Sequence, residues 1–157
     1  VNALDHIDAD NIINVQGDQP FISPKAILEM YEFMMKHPLH NIVTPVAKHN
    51  PTKNTDPSKC KVVLSTSGRA IYFSRSAIPY NAIDTWGHLG IYGYKKSFLK
   101  DYYKLKVSPL EKVEKLEQLR FIDNDVPIQT YKTEHSIFSI DTPLDLQNAI
   151  KHVRELV

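Results

Sequence analysis

A single cysteine, Cys60, is all the chain contains, so neither an intrachain disulfide nor a multi-cysteine metal site can form. That usage fits a reducing compartment and makes the cytoplasm the natural expectation. Long apolar runs are missing too. No stretch approaches the roughly 20 residues that cross a bilayer, and residues 1–10 lack the basic start and apolar core of a signal peptide. Nor is charge of one sign in excess. The 19 lysines and arginines are balanced by 18 acidic residues, and the lysines are scattered instead of gathered in a basic stripe. Neither a nucleic acid nor a membrane is therefore expected as a partner. The chain does not begin with Met, and its polar, acidic opening leads straight into a strand, which suggests that a parent chain had something before it.

What is present describes a soluble globular protein. With 157 residues the chain is the size of one ordinary domain, able to bury about two-thirds of its unfolded surface in a single core. Apolar residues make up 42% and aromatics 10% of the sequence, which separates it from disordered chains.

Residues 11–15 are a short apolar run ended by Gln16-Gly17-Asp18, the pattern of a buried strand opening into a loop. Ser23-Pro24 reads as an N-cap and first turn, and Ile27, Met30, Tyr31 and Met34 continue at helical spacing. Residues 41–46 read as the next strand. This alternation predicts an α/β fold with a mostly parallel sheet and helices packed on it. Residues 48–59 are polar with two prolines and read as a loop, and residues 61–64 and 70–74 flank Ser65-Thr66-Ser67-Gly68-Arg69 as a hairpin. An inserted subdomain over about residues 48–87 follows from that antiparallel feature. Residues 88–94 read as one strand and 95–104 as a short helix.

Ser108-Pro109-Leu110-Glu111 is a capping box. Leu110, Val113, Leu116, Leu119 and Ile122 then suggest a buried stripe, Glu111 and Lys115 an exposed pair, and Glu114, Glu117 and Gln118 a face open to solvent or ligand. Residues 127–131 and 138–140 read as strands. Thr142 and Pro143 start a last helix with Leu146, Ile150 and Val153 inward.

Two carboxylates each stand just beyond a short apolar strand: Asp18 and Asp141. Ligands of open parallel sheets bind at the carboxyl ends of strands, and two neighbouring carboxylates suit magnesium, which prefers one or two of them together with phosphate oxygens and water. The plainer reading makes Asp18 a turn residue and Asp141 an acidic flank of a helix start. His88 could be a general base, an anion contact or a structural histidine. Glu117, Gln118 and Arg120 read equally as a solvated helix face.

Taken together, Asn14-Val15-Gln16-Gly17-Asp18-Gln19-Pro20, Lys61-Val62-Val63, Ile71-Tyr72-Phe73-Ser74-Arg75 with Ile78-Pro79-Tyr80, and His88 through Tyr94 closely resemble the CMP-Kdo synthetase (3-deoxy-manno-octulosonate cytidylyltransferase) family. So do Ser108 through Glu111, Leu116-Glu117-Gln118-Leu119-Arg120, and Asp141-Thr142-Pro143 with Asp145-Leu146. The resemblance runs in family order over essentially the whole chain. It implies a doubly wound nucleotidyltransferase fold of the nucleotide-diphospho-sugar transferase type, whose inserted hairpin subdomain helps form a homodimer. It implies Mg2+ on Asp18 and Asp141 as catalytic metal ligands. By the same resemblance Gln16, Arg75, His88, Tyr92, Glu117 and Gln118 contact the acidic sugar Kdo, with Arg75 suited to its carboxylate. The sugar's anomeric hydroxyl would attack the α-phosphorus of CTP and release pyrophosphate, as a step in lipopolysaccharide precursor synthesis.

The family's opening strand, its basic phosphate-cradling loop and the strand and helix that follow have no counterpart in this sequence. Residues 1–157 thus correspond to the carboxy-terminal two-thirds of one cytidylyltransferase domain. The expectation is a chain that keeps the metal carboxylates and most of the sugar pocket but needs a companion N-terminal fragment for efficient turnover. Two other readings are a non-catalytic sugar-binding or dimerisation module and a cytidylyltransferase for another acidic sugar.

Overall fold

The computed structural model describes residues 2–49, 56–82, 85–135 and 138–156. Strand β1 (Asn11–Val15) leads to helix α1 (Pro24–Lys36), whose N-cap Ser23 accepts a hydrogen bond from the Lys25 amide at 3.2 Å. Pro24 follows at the first helical position, where no amide hydrogen is needed. The chain returns as β2 (Ile42–His49), then forms the expected hairpin of β3 (Lys61–Leu64) and β4 (Ala70–Ser74). Gly68 turns it with φ of 79°, a conformation that glycine alone adopts freely. Strands β5 (Thr85–His88) and β6 (Ile91–Lys95) come next, followed by the short helices α2 (Lys96–Leu99), α3 (Pro109–Glu114) and α4 (Leu119–Asp123). Strand β7 (Gln129–Lys132) and helix α5 (Pro143–Leu156) complete the order.

The strands form one sheet in the order β1-β6-β2-β5-β3-β4, with β7 on the other side of β2. The expected mostly parallel sheet is not what is found. Among the described residues only β2 and β7 pair parallel; all other neighbours are antiparallel. The reason lies in β6. The β1-α1-β2 connection does leave β1 and β2 pointing the same way, but β6 arrives from later in the chain and inserts between them, antiparallel to both. Alternation of strands and helices reports direction along the chain and not which strand becomes the neighbour. The hairpin expected as an insert extends this same sheet through β5.

Helices cover both faces, so the doubly wound α/β architecture holds. On one face Met30 and Met34 of α1 pack against Val43 and Ile91. On the other, Ile42, Val46, Phe73 and Tyr94 pack with Leu119 and Phe121 of α4. Successive strand residues such as Ile42 and Val43 feed opposite cores, as the two-residue period requires.

Several local expectations need correction. The proposed stripe from Leu110 to Ile122 does not lie on one helix. Steps of three residues lag the 3.6-residue turn by about 60° each, and Lys115, with φ of 54°, breaks the helix between α3 and α4. Leu116 and Leu119 are buried, whereas Val113 is 80% exposed. The break lets Arg120 fold back onto α3, so Glu111 pairs with Arg120 at 2.6 and 2.8 Å and not with Lys115. Those hydrogen bonds hold the Glu111 carboxyl below its usual range, with the Ser108 amide contributing as the capping box predicts. Residues 95–104 split into α2 and a 3-10 turn at Tyr102–Lys104. Residues 138–140 form no strand.

Helix α5 begins with a reciprocal cap: Thr142 Oγ1 accepts from the Asp145 amide at 3.2 Å, and Asp145 Oδ2 accepts from the Thr142 amide at 2.9 Å. Its expected inner residues Leu146, Ile150 and Val153 are 49%, 46% and 45% exposed, with Ala149 buried in their place. Periodicity marks a face suited to burial, but burial also needs a neighbour, and this face is only half covered.

Candidate functional site

The site follows from a split in the sheet. β2 pairs with β6 through Ile42–Tyr94 and Val43–Gly93, then with β5 from Val46–His88 onward. Two extra residues, Leu89 and Gly90, bulge out between these ladders, so the segment expected as one strand over 88–94 is two. On its other side β6 ends its pairing with β1 at Val15–Ile91, while β5 begins its pairing with β3 at Lys61–Gly87. A gap therefore opens opposite residues 88–90. Bulges recur beside active sites because they aim side chains and end pairing in this way.

Two chain segments reach the gap from opposite sides. Gln16, Asp18 and Gln19 follow the last residue of β1, and Lys59 and Cys60 precede the first of β3. All five line a cavity of about 1040 Å3 together with Arg75, His88, Gly90, Tyr92, Glu117, Gln118 and Asp141. The structure thus brings all eight sequence-predicted site residues to the lining of one cavity. The two carboxylate loops are tied directly, since the Ile140 amide donates to the Asp18 carbonyl at 2.9 Å.

Asp141 Oδ2 accepts from Ser139 Oγ at 2.5 Å and from Lys59 Nζ at 3.1 Å. Among the described residues no group of three or more histidine, cysteine or acidic side chains converges. Two carboxylates at a roomy cavity suit an ion that keeps water and phosphate ligands, and not one needing a full protein cage. Asp18 and Asp141 are thus chemically fit to hold a hard divalent cation.

Arg75 spends part of its guanidinium on its own chain, donating to the carbonyls of Glu114 at 3.0 Å, Pro57 at 3.0 Å and Lys115 at 3.4 Å. Glu117 accepts from the Tyr102 hydroxyl at 2.5 Å, and the buried Gln118 donates from Nε2 to Cys60 Sγ at 3.5 Å. Burial pushes the Cys60 thiol up to about 12, so it stands as a neutral thiol and not as a nucleophile. His88 and Tyr92 rings lie 5.2 Å apart, and burial raises the Tyr92 hydroxyl well above its usual value.

Burial alone lowers His88 to about 3, which leaves it neutral at pH 7. A histidine with a folded value below its unfolded value of about 6.5 takes up a proton only in the unfolded chain between those limits. Its stabilising contribution is complete above pH 6.5 and is lost as the pH falls toward 3. Urea unfolding between pH 7 and 4.5 should show about 1.4 kcal/mol less stability per pH unit from this one group at the steepest, and His88→Gln should flatten that slope. Equal acid sensitivity of the two proteins would assign the effect to other groups.

Sequence reading missed three residues here. Lys59 sits in a polar, proline-containing loop that looks like solvated surface, and only the fold carries its ammonium to Asp141. Gln19 belongs to the quoted motif, yet nothing marked it out. It is 5% exposed with no hydrogen-bond partner for Oε1 among the described residues, and it packs so close to Gly90 that a methyl group there would meet its Nε2 at 2.6 Å. Thr44 sits inside an apolar strand and hydrogen-bonds His88 at 3.0 Å.

Residues 1–133 match the family described as Cytidylyltransferase. The chain is 44% identical to the 3-deoxy-manno-octulosonate cytidylyltransferase of Rickettsia prowazekii (strain Madrid E) over 145 residues, covering 92% of this chain and 58% of that protein. Its counterpart in Rickettsia canadensis (strain McKiel) is 44% identical over 140 residues, covering 89% of this chain and 57% of the relative. Among solved structures, CMP:2-keto-3-deoxy-manno-octonic acid synthetase complexed with CTP superimposes with a TM-score of 0.91 at 31% identity, covering 99% of this chain and 66% of that one. The inositol-1-phosphate CTP transferase of T. maritima shares the fold at a TM-score of 0.62 and 15% identity. The chain spans under two-thirds of the length of these relatives, its architecture is that of the nucleotide-diphospho-sugar transferases, and it belongs to the cytidylyltransferase family.

Proposed function

We propose that this is a 3-deoxy-manno-octulosonate cytidylyltransferase, forming CMP-Kdo and pyrophosphate from CTP and Kdo in the bacterial cytoplasm. One observation carries the reading: Asp18, Asp141 and the six residues proposed to contact the sugar line one cavity at the gap in the sheet, in a chain 44% identical to a relative of that name.

Mg2+ held by Asp18 and Asp141 would supply charge neutralisation and orientation of phosphate oxygens. The rest of the work falls to this chain's side chains. Three of Arg75's five N–H groups are occupied by carbonyls, leaving two to pair with the sugar carboxylate. Gln16, Tyr92, Glu117 and Gln118 read hydroxyls, where a mismatched buried group costs about 1–3 kcal/mol. Held in this way, the anomeric hydroxyl attacks the α-phosphorus and pyrophosphate leaves, without a covalent enzyme intermediate; positioning does most of the catalysis. For the homodimer, Ile71 and Tyr80 are 48% and 92% exposed within the 48–87 segment and offer apolar surface for the contact.

The test is pyrophosphate release from CTP, Mg2+ and Kdo, run on this chain by itself and with the amino-terminal third of a relative supplied in trans. Release that requires Kdo, and that a sialic-acid-like sugar does not support, is expected from the supplemented protein. Turnover with the other sugar alone, or none in either preparation, would remove the reading.

A further inference from the structure

Thr44 lies within β2 with no exposed surface. Its Oγ1 is 2.8 Å from the Ile91 carbonyl oxygen, 3.2 Å from that of Leu89 and 3.0 Å from His88 Nε2. A hydroxyl owns one hydrogen and two lone pairs, and a carbonyl oxygen only accepts. Were the Thr44 hydrogen directed at His88, two pairs of oxygens at 2.8 and 3.2 Å would face each other with no proton between them. The hydrogen must therefore go to a carbonyl, and that of Ile91 is nearer. Only acceptor capacity then remains toward His88, so Nε2 carries the ring proton and donates it.

The other ring nitrogen is left bare. His88 is neutral and its ring is held edge-on to Phe73 at 5.2 Å, with Tyr92 at the same centroid distance. Among the described residues Nδ1 has no hydrogen-bond partner and is not one of the sealed-off polar atoms. Its open side is the cavity that His88 lines.

We infer that Thr44 is a positioning residue that locks His88 in its Nε2-protonated form, so that Nδ1 faces the cavity as an acceptor for a ligand hydroxyl. A bare imidazole nitrogen repels carboxylate and phosphate oxygens and accepts from a group that brings its own hydrogen. His88 thereby selects a hydroxyl of the sugar, and not its carboxylate or the nucleotide phosphates; this half of the inference rests on the Kdo reading, whereas the tautomer does not.

Long-range 1H–15N spectra of the 15N-histidine-labelled chain at pH 7 test it directly. A proton on Nε2 of His88 is expected in the wild type and in Thr44→Ser, which keeps the acceptor. Thr44→Val removes the acceptor at nearly constant volume and should move the proton toward Nδ1. Thr44→Ala serves the same purpose should the valine variant fail to fold. A wild-type proton on Nδ1, or an unchanged tautomer in a folded valine or alanine variant, would overturn the positioning role. Titration with Kdo should shift Nδ1, and Thr44→Val should raise the KM for Kdo about tenfold with little change in kcat. Kdo binding that leaves Nδ1 unmoved would overturn the hydroxyl contact. Failure of Kdo to bind at all would count against the proposed substrate, while the tautomer spectra still decide the role of Thr44.

Discussion

Asp141→Asn, and separately Asp18→Asn, should lower Mg2+-dependent pyrophosphate release by about a thousandfold. A divalent ion contributes several kcal/mol of charge stabilisation in the transition state, and each 1.36 kcal/mol is a factor of ten in rate. Asparagine keeps the shape but removes the charge that attracts the ion. The substitution should leave the local fold in place, because the link between the loops runs through backbone atoms from Ile140 to Asp18 and the α5 cap runs through Asp145 and Thr142. Mn2+ binding followed by electron paramagnetic resonance supplies a readout independent of turnover, and both variants should bind the ion more weakly. Full activity in either variant, or unchanged Mn2+ affinity in both, would favour the plainer reading, in which Asp18 is a turn residue and Asp141 an acidic flank of the helix start.

Lys61→Met should cost about 3–5 kcal/mol of stability by urea denaturation. Lys61 has 0% exposure, an uncommon position for lysine. Its ammonium donates to the carbonyls of Asp56 at 2.8 Å, Lys59 at 2.7 Å and Arg75. Methionine fills the same volume but leaves three carbonyls facing an apolar chain, each an unpaired acceptor worth about 1–3 kcal/mol when buried. Burial lowers the pKa of Lys61, so relief of that desolvation offsets part of the loss. Those carbonyls belong to the segment that carries Lys59 and to Arg75 itself, so the variant should also weaken sugar binding in whatever fraction remains folded. A loss below about 1 kcal/mol would mean that the carbonyls find water instead and that Lys61 does not organise this wall of the cavity.

The site was legible wherever a residue's role is announced by its neighbours along the chain. Asp18 follows the end of β1, and Ser108 and Thr142 sit where caps must be, because strand ends and helix starts leave local marks; Asp141 was singled out by an expected strand over 138–140 that does not form. Lys59, Lys61, Thr44 and Gln19 leave none. Lys61, which opens β3 and ends its side chain on three carbonyls, and Lys59, which meets a carboxylate across 82 residues, carry no mark in the local pattern that tells them from solvated surface lysines. The stripe from Leu110 to Ile122 misled for a related reason: its apolar residues are real core contacts, but the left-handed Lys115 divides them between two short helices.

The caps of α1, α3 and α5 and the hairpin at Gly68 were determined by the sequence itself, since each rests on interactions within a few residues, whereas the proposed sugar-site residues were reached only through the resemblance of motifs, and the expected parallel run of the strands was overturned. Which strands become neighbours was decided only by tertiary structure. The insertion of β6 between β1 and β2, and the Leu89–Gly90 bulge that opens the sheet, arise from long-range pairing across dozens of residues. That pairing creates the cavity, sets the ring proton of His88 through Thr44, and brings Lys59 to Asp141; local periodicity carries no information about such contacts because it ends where the element ends.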